Sequence, residues 1–202
     1  MKNHFIIKAQ LCAIVMVFLN CGNHPENLAN PAPKASVKTE ISDLSKYLKT
    51  KGISKGALLL LIDKSDKKLY VMHEDKTLKS YPVSLGSTNI ADKRMQGDNL
   101  TPEGDFLIRA KYPHQSWKYF LWINYPTADS ERKHSQAKKA GLIPRNAGIG
   151  GEIGIHGVVD GSDYLVSGSI PWTKGCISLK NKDIEEIYEI TACQSTTIRI
   201  RR

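Results

Sequence analysis

The chain has 202 residues, of which 41% are apolar and 24% are charged, enough apolar residues for one packed domain of ordinary size with an additional segment. Its 29 Lys and Arg against 20 Asp and Glu give a formal net charge of +9. No basic run, aromatic RNA-binding motif or recognition-helix signature accompanies this charge, so nucleic acid is not expected as a partner.

Residues 1–21 have the pattern of a secretion signal and not of part of a fold. Two lysines precede an apolar run from Leu11 to Leu19, which is too short to span a bilayer. The run ends in Phe18-Leu19-Asn20-Cys21, which resembles a lipobox, the bacterial signal for lipidation of a cysteine. We expect lipidation at Cys21; the alternatives are a signal cleaved without lipidation and an uncleaved signal anchor. Several acyl chains on one residue anchor a protein stably, so an exported, periplasm-facing lipoprotein held at the membrane is predicted.

A tether and one short helix are predicted for residues 22–55. Residues 22–38 carry Asn, Pro, Lys and Ala without periodicity, which is typical of a linker. Apolar side chains at helical spacing from Ile41 to Leu48 predict a short amphipathic helix that ends near Gly52. We assign residues 56–202 to one further domain.

From residue 57 onward the pattern is that of short β-strands separated by turns. The segments with this pattern are Ala57–Asp63, Leu69–Met72, Lys79–Leu85, Asp105–Ala110, Tyr119–Asn124 and Thr196–Ile200. The turn-like stretch Lys64–Lys67 joins the first two segments into a predicted hairpin. Many short strands with turn signals between them indicate a mostly β fold with short helices, of the α+β class, built on a mostly antiparallel sheet or sandwich.

Two further helices are predicted within this domain. Residues 128–140 have acidic side chains in the first turn and lysines in the last, with Gly141 after them, which predicts an exposed helix. We interpret that helix as a solvated insertion or as a lid that closes over a bound ligand. Asn181 is predicted to cap a helix over Lys182–Thr191, one face of which is apolar.

The segment from Gly148 to Leu179 contains the residues that indicate chemistry. Its first half is a short apolar strand that ends in His156-Gly157, and its second half places Cys176 between Gly175 and a run compatible with a helix. A thiolate is a far better nucleophile than a thiol, and a neighbouring imidazole or a helix N-terminus lowers the pKa of a thiol. The pattern predicts a cysteine nucleophile with a histidine base, whereas a lone cysteine or histidine is more often structural.

Cysteine usage agrees with an exported chain. Of the four cysteines, Cys176 and Cys193 belong to the domain, with no CxxC pair and no histidine cluster, so a structural zinc site is not expected. These two residues could form a disulfide in an oxidising compartment. Because that bond would block the nucleophile, we expect free thiols. The positive charge is then explained by attraction to anionic polymers of the cell envelope.

Together these motifs resemble those of the L,D-transpeptidases of the YkuD type. That family carries a His-Gly, about sixteen further residues, and then Ser/Thr-His-Gly-Cys; here His156-Gly157 leads to Thr173-Lys174-Gly175-Cys176. Asp98–Gly104 resembles the family's GDxxTPEG turn. Three further segments resemble a Gram-negative branch of the family: Gly150–Gly157, Trp172–Leu179 and Asp183–Ile187. The resemblance covers about residues 56–202 and implies the β-sandwich of that family.

The resemblance implies an enzyme that acts on peptidoglycan stem peptides and needs no metal or organic cofactor. His156, oriented by the Gly157 carbonyl, would take the proton of Cys176. The thiolate would attack the carbonyl of the third stem residue, a diamino acid, and expel the terminal D-Ala. The resulting thioester would pass to an acceptor amine, giving a 3–3 cross-link or attachment to a protein such as an anchored lipoprotein, or it would pass to water.

The residues next to Cys176 are expected to build the rest of the site. Backbone amides of Lys174, Gly175 and Cys176 would stabilise the oxyanion, and Thr173 would shape the pocket. Trp172 is expected to line the cleft because it lies close to Cys176 in the chain. Packing in the core or the strands is expected for most of the other aromatics, Tyr112, Trp117, Tyr119, Phe120, Trp122 and Tyr125.

Two departures from the family pattern leave the reaction open. Lys174 stands where most members have a second histidine, and Ser178 stands where many have Arg or Asn. The same branch includes enzymes that cleave the bond between peptidoglycan and an anchored lipoprotein, so hydrolysis is an alternative to transfer. A non-catalytic peptidoglycan-binding lipoprotein of the same fold is the alternative from another class. A sortase, which also uses His, Cys and Arg, fits less well, since its His-to-Cys separation is longer and its TLxTC motif is absent.

Overall fold

Strands with apolar side chains at alternate positions dominate the computed structural model, which describes residues 41–202. The predicted signal with Cys21 and the predicted linker lie outside the described residues. The strands are β1 (Leu58–Asp63), β2 (Lys68–His73), β3 (Lys76–Pro82), β4 (Gly104–His114), β5 (Lys118–Ile123), β6 (Gly154–His156), β7 (Ile177–Ser178) and β8 (Thr197–Arg201). The helices are α1 (Leu44–Lys51), α2 (Ala128–Lys139), α3 (Tyr164–Ser167) and α4 (Asn181–Ile190), and a 3-10 turn covers Lys55–Ala57. The predicted class, mostly β with short helices, is confirmed.

The strands form one sheet in the order β3-β2-β1-β8-β4-β5-β6-β7. Most neighbouring strands are antiparallel, as predicted, but β1 and β8 are parallel, and so are β6 and β7. Strand β4 belongs to both halves of the sheet, because Gly104–Leu107 pairs with β8 and Ile108–His114 pairs with β5. A bridge between Ser84 and Ser178 joins the chain after β3 to β7. The two edges of the sheet therefore meet, and β6 and β7 are held on both sides.

One apolar core lies between the sheet and two of the helices. Strand β1 is buried at four of its six positions, and α4 buries Ile184, Ile187 and Ile190 in the same core. Each such side chain contributes about 1.5–3 kcal/mol when it leaves water. Helix α1, as predicted, places its apolar face in the same core through Leu44 and Leu48. Its ends are capped by an Asp43 carboxylate and by a glycine in the left-handed region.

The structure corrects two of the predicted helix features. The Asn181 side chain does not cap α4; its Oδ1 accepts from the Val158 N–H at 3.0 Å and its Nδ2 donates to Asp160 at 2.9 Å. The amide therefore ties the loop after β6 to the start of α4. Helix α2 occupies the predicted residues but is not fully solvated, because Ser130, His134 and Ala137 are buried. Within residues 41–202 no helix combines the length and the apolar content needed to cross a bilayer.

Candidate active site

Strand pairing brings the predicted histidine and cysteine together. In the register of β5, β6 and β7, His156 lies between Phe120 and Ser178. Cys176 immediately precedes β7, whose Ile177 pairs with Ile155. Two short neighbouring strands thus bring the imidazole and the thiol to the wall of one cleft.

His156 is held as a buried, neutral imidazole. Its side chain is 1% exposed, and Nδ1 lies 2.7 Å from the carbonyl oxygen of Gly157. A carbonyl only accepts, so the Nδ1–H donates and Nε2 keeps its lone pair. Burial lowers the pKa of His156 to about 4, and the Gly157 carbonyl opposes this shift only in part. The imidazole is therefore uncharged at neutral pH and can accept a proton at Nε2.

Aromatic side chains enclose the imidazole. Trp117 stacks on it with ring centroids 4.5 Å apart, Phe120 lies parallel to it at 5.7 Å, and Trp172 meets it edge-on at 5.4 Å. Most of the aromatics other than Trp172 were expected to pack in the core or strands, yet Trp117, Phe120 and Tyr112 line the same cleft as Trp172. The chain order hides this, because the pairing of β5 with β6 is what places Phe120 beside His156.

Gly157 cannot carry a side chain in this arrangement. A Cβ there would lie 2.4 Å from Asn181 Oδ1 and 2.7 Å from the Trp117 carbonyl oxygen. The Gly157 N–H donates to that same carbonyl at 3.0 Å. Close packing thus fixes the position of Gly157, whose carbonyl orients the imidazole.

The thiol of Cys176 is half-buried and protonated at rest. Burial raises its pKa, and Glu152 adds to the rise, while a hydrogen bond from the Gly154 amide and the charge of Lys93 oppose it. The Sγ donates to the carbonyl oxygen of Glu152 at 3.4 Å. The prediction that a helix N-terminus lowers the pKa of the Cys176 thiol is wrong. The residues after Cys176 form β7, and helix α4 begins only at residue 181.

Thr173 closes the turn that presents Cys176. Its hydroxyl donates to the Cys176 carbonyl at 2.7 Å and accepts from the Gly175 N–H at 3.3 Å. Gly175 has φ 121°, and a Cβ there would lie 2.7 Å from the Leu100 carbonyl oxygen. Of the three amides predicted to bind an oxyanion, that of Gly175 is thus engaged within the turn.

Ser178, one of the two departures from the family pattern, has a structural partner. It is fully buried, and its Oγ accepts a hydrogen bond from Trp172 Nε1 at 2.8 Å. This contact holds the indole edge-on to His156. Sequence reasoning did not identify it, although the polar Ser178 between two apolar residues was a signal for a buried hydrogen bond.

A cleft of about 840 Å³ contains both Cys176 and His156. Cys176 and His156 line it together with Trp172, Thr173 and Lys174, all of which were predicted as site residues. No residue of α2 lines this cleft, so the structure gives the predicted lid no contact with it. The helix packs instead on the loop before β4, where Lys133 Nζ lies 3.1 Å from Asp92 and His134 Nδ1 lies 2.6 Å from the Arg94 carbonyl.

One wall of the cleft is formed by a loop that Asp98 organises. Its carboxylate accepts from Lys93 Nζ at 2.7 Å and from the N–H groups of Arg94, Met95 and Leu100 at 2.8–3.0 Å. Burial alone would raise the pKa of Asp98, but these hydrogen bonds outweigh it and the pKa is lowered. The Asp98–Gly104 turn thus contributes Asn99 to the cleft, and its Asp98 holds Lys93, which lines the cleft as well.

The two cysteines of the described chain are both free thiols. Cys193 is exposed, and Cys176 is separate from it in the cleft. In the described part of the chain, no three His, Cys, Asp or Glu side chains come together in a group that could hold a metal ion.

Alkylation of Cys176 by iodoacetamide is expected to be slow at neutral pH and to rise steeply only above pH 9. The physical reason is that burial raises the thiol pKa above its ordinary value of 9.0. Peptide mass mapping of the alkylated chain would follow Cys176 apart from Cys193. A midpoint near pH 7 would reveal a preformed thiolate–imidazolium pair and contradict this expectation.

Comparison with protein families gives one match over most of the chain. Residues 58–200 match the model of the L,D-transpeptidase catalytic domain, YkuD. Among curated proteins none matches the chain.

Solved structures share the fold at low sequence identity. The helical cell shape determining protein Pgp2 from Campylobacter jejuni is 20% identical with a TM-score of 0.53, over 78% of this chain and 55% of that one. Bd1075 from Bdellovibrio bacteriovorus is 20% identical with a TM-score of 0.52, over 75% of this chain and 49% of that one. An L,D-transpeptidase from Mycobacterium smegmatis is 15% identical with a TM-score of 0.46, over 72% of this chain and 59% of that one. The chain thus spans about half the length of these proteins.

Proposed function

Because the chain belongs to the family of L,D-transpeptidase catalytic domains, we propose that it is a peptidoglycan L,D-transpeptidase that works through a thioester on Cys176. The observation that carries the proposal is the shared cleft of Cys176 and His156, in which the Gly157 carbonyl leaves Nε2 of the imidazole as the open proton acceptor. The substrate would be a stem tetrapeptide, and no metal or organic cofactor takes part.

The first step forms the nucleophile. Both groups are neutral at rest, since the thiol pKa is raised and the imidazole pKa is lowered. The proton therefore moves from Sγ to Nε2 as the sulfur attacks, and not before. The Gly157 carbonyl supports this transfer, because it holds the Nδ1 proton and stabilises the imidazolium that forms.

The second step produces the acyl-enzyme. Sγ attacks the carbonyl carbon of the third stem residue, the imidazolium returns its proton to the departing amine, and the terminal D-Ala leaves. The backbone amides of Lys174 and Cys176 would stabilise the developing oxyanion, since the Gly175 N–H is already bonded to Thr173 Oγ1. Lys93 and Lys174 add positive charge to a cleft that has to hold a peptide carrying carboxylates.

The third step passes the acyl group to an amine or to water. Transfer to a diamino acid of a second stem gives a 3–3 cross-link, and transfer to a protein amine gives an attachment. Export and anchoring through Cys21 would place the domain beside its polymer, and the positive net charge would favour contact with it.

Incubation of the full chain with purified tetrapeptide muropeptides should give an intact-mass increase that matches a tripeptide thioester. The Cys176→Ala variant is the matched control and should show no adduct. Product analysis of the same mixture then identifies the acceptor, since dimers indicate transfer and free tripeptide indicates hydrolysis. If protein with a free Cys176 thiol bound the muropeptides but gave neither adduct nor product, the chain would be a binding lipoprotein and the proposal would fail.

A further inference from the structure

Glu152 has a backbone conformation that glutamate rarely adopts. Its φ is 58°, in the left-handed region, and it follows Gly150, at φ 82°, and Gly151. A residue with a side chain costs about 1–2 kcal/mol in this region, where a third glycine would fit without strain. Strained positions of this kind cluster at functional sites. The glutamate side chain therefore calls for an explanation beyond the backbone turn.

The same residue lies directly beside the proposed nucleophile. Its carbonyl oxygen is 3.4 Å from Cys176 Sγ, and its exposed side chain lines the cleft. The negative charge is close enough to raise the pKa of the Cys176 thiol. Within residues 41–202 the Glu152 carboxylate has no ion pair and no hydrogen-bonded partner.

Glu152 is also the one acidic residue among the described residues that line the cleft. The cations there are Lys93, which is paired with Asp98 at 2.7 Å, and Lys174, which is exposed. An anion next to the sulfur disfavours the thiolate, so Glu152 does not assist the first half of the reaction. Its charge can help only when a cation enters the cleft, which happens when an acceptor amine arrives.

We propose that Glu152 binds the acceptor amine and thereby directs the acyl group to an amine in preference to water. This inference rests on the proposed function, because it concerns the second half of that reaction. A primary amine arrives mostly as an ammonium ion, which a carboxylate attracts and binds by a charge-assisted hydrogen bond. Water carries no charge, so the carboxylate does not bind it with comparable strength.

The chemical step balances with the thioester, the acceptor amine and solvent. The acceptor ammonium first loses one proton to solvent, and its nitrogen then attacks the thioester carbonyl carbon. As the C–N bond forms, positive charge develops on nitrogen, and the Glu152 carboxylate stabilises it. The C–S bond then breaks and the second nitrogen proton passes to the departing sulfur. Cys176 is left as a thiol, an amide has formed, and one proton has been released.

The first test measures the ratio of cross-linked dimer to free tripeptide formed from tetrapeptide muropeptides by the full chain. Glu152→Gln is expected to lower this ratio about tenfold, the loss of one charge-assisted hydrogen bond, and Glu152→Asp should retain part of it. Glu74→Gln is the matched control and should leave the ratio unchanged, since Glu74 is another exposed glutamate with a positive φ, 53°, in the β2–β3 turn. An unchanged ratio in Glu152→Gln, or a wild type that yields tripeptide alone, would overturn the inference while leaving acylation at Cys176 intact.

The second test needs no turnover and separates this inference from the proposed function. Cys176 is modified with a trimethylammonium methanethiosulfonate and, in parallel, with an anionic sulfonate analogue, and peptide mass mapping reports each rate at that residue. The cationic reagent is expected to react faster, and Glu152→Gln should lower the ratio of the two rates severalfold, whereas Glu74→Gln should not. A rate ratio that is insensitive to Glu152 would show that its carboxylate recruits no cation to the sulfur, even if acyl-enzyme forms.

Discussion

Replacement of His156 by glutamine is expected to slow acylation of Cys176 by about a thousandfold, the usual contribution of a positioned general base. Glutamine can still hydrogen-bond to the Gly157 carbonyl, which lies 2.7 Å from Nδ1, but it offers no basic nitrogen to the thiol. The measurement is the rate of the intact-mass increase with tetrapeptide muropeptides. His134→Gln is a matched control, because His134 is also buried and also has Nδ1 against a backbone carbonyl, yet it lies outside the cleft. Equal rates in both variants would remove His156 from the mechanism.

The same variant has a second readout in the pH dependence of stability. Burial lowers the pKa of His156 from 6.5 to about 4, so between these values the unfolded chain binds a proton that the folded chain does not. The contribution of His156 to the free energy of unfolding is fully present above pH 6.5. It falls by roughly 3 kcal/mol as pH drops toward 4. Urea unfolding of the wild type should show this loss and His156→Gln should lack it. If wild type and His156→Gln lost the same stability as pH falls, burial would not protect the imidazole from protonation.

The order of the motifs made the reactive pair predictable from the sequence. His156 and Cys176 are close in the chain and each is flanked by a glycine, and His156 ends a short apolar segment. Those features depend on local backbone geometry, which residue types report well. The strands of the β1–β2 hairpin and helices α1 and α2 were predictable for the same reason, since alternation and capping residues act over a few positions.

What surrounds the pair depends on strand pairing between distant segments and could not be predicted. Trp117 and Phe120 reach the imidazole only through the pairing of β5 with β6. Glu152 acquires its importance from a positive φ that no residue pattern marks, because glutamate is uncommon in that region. The predicted cap at Asn181 failed because a competing acceptor role, toward the Val158 N–H, was available across the fold.

Lys64 is the clearest case in which local pattern and structure disagree. The stretch Lys64–Lys67 has the composition of an exposed turn, yet the Lys64 side chain is 1% exposed. Its Nζ donates to the carbonyl oxygens of Ala91 at 3.0 Å and Thr101 at 3.1 Å, and lies 2.8 Å from a Glu103 carboxylate oxygen. Burial lowers the pKa of Lys64, and the hydrogen bond and charge of Glu103 oppose that shift. One ammonium thus ties together both ends of the loop that forms a wall of the cleft.

Lys64→Met is therefore expected to destabilise the fold by roughly 2–3 kcal/mol and to lower Tm by about 5–10 °C. The cost is smaller than for a fully buried pair, because the Glu103 side chain is 21% exposed and also lies 3.4 Å from Arg202. Lys68→Met is the matched control, since Lys68 is exposed on β2 and should change Tm by less than about 2 °C. Urea and thermal unfolding of the two variants provide the comparison, and equal midpoints would show that the loop does not depend on Lys64.

The same substitution should also weaken catalysis at a temperature where the variant remains folded. The loop tied by Lys64 carries Lys93, Gln96 and Asn99 into the cleft. Without the Lys64 ammonium, the Ala91 and Thr101 carbonyls lose their shared donor and the loop samples more positions. Acylation by tetrapeptide muropeptides should then slow about tenfold, since small misplacements of a substrate wall are costly, while iodoacetamide alkylation of Cys176 stays close to wild type. That separation assigns the loss to substrate positioning. Equal loss of both rates would instead indicate that the thiol itself had moved.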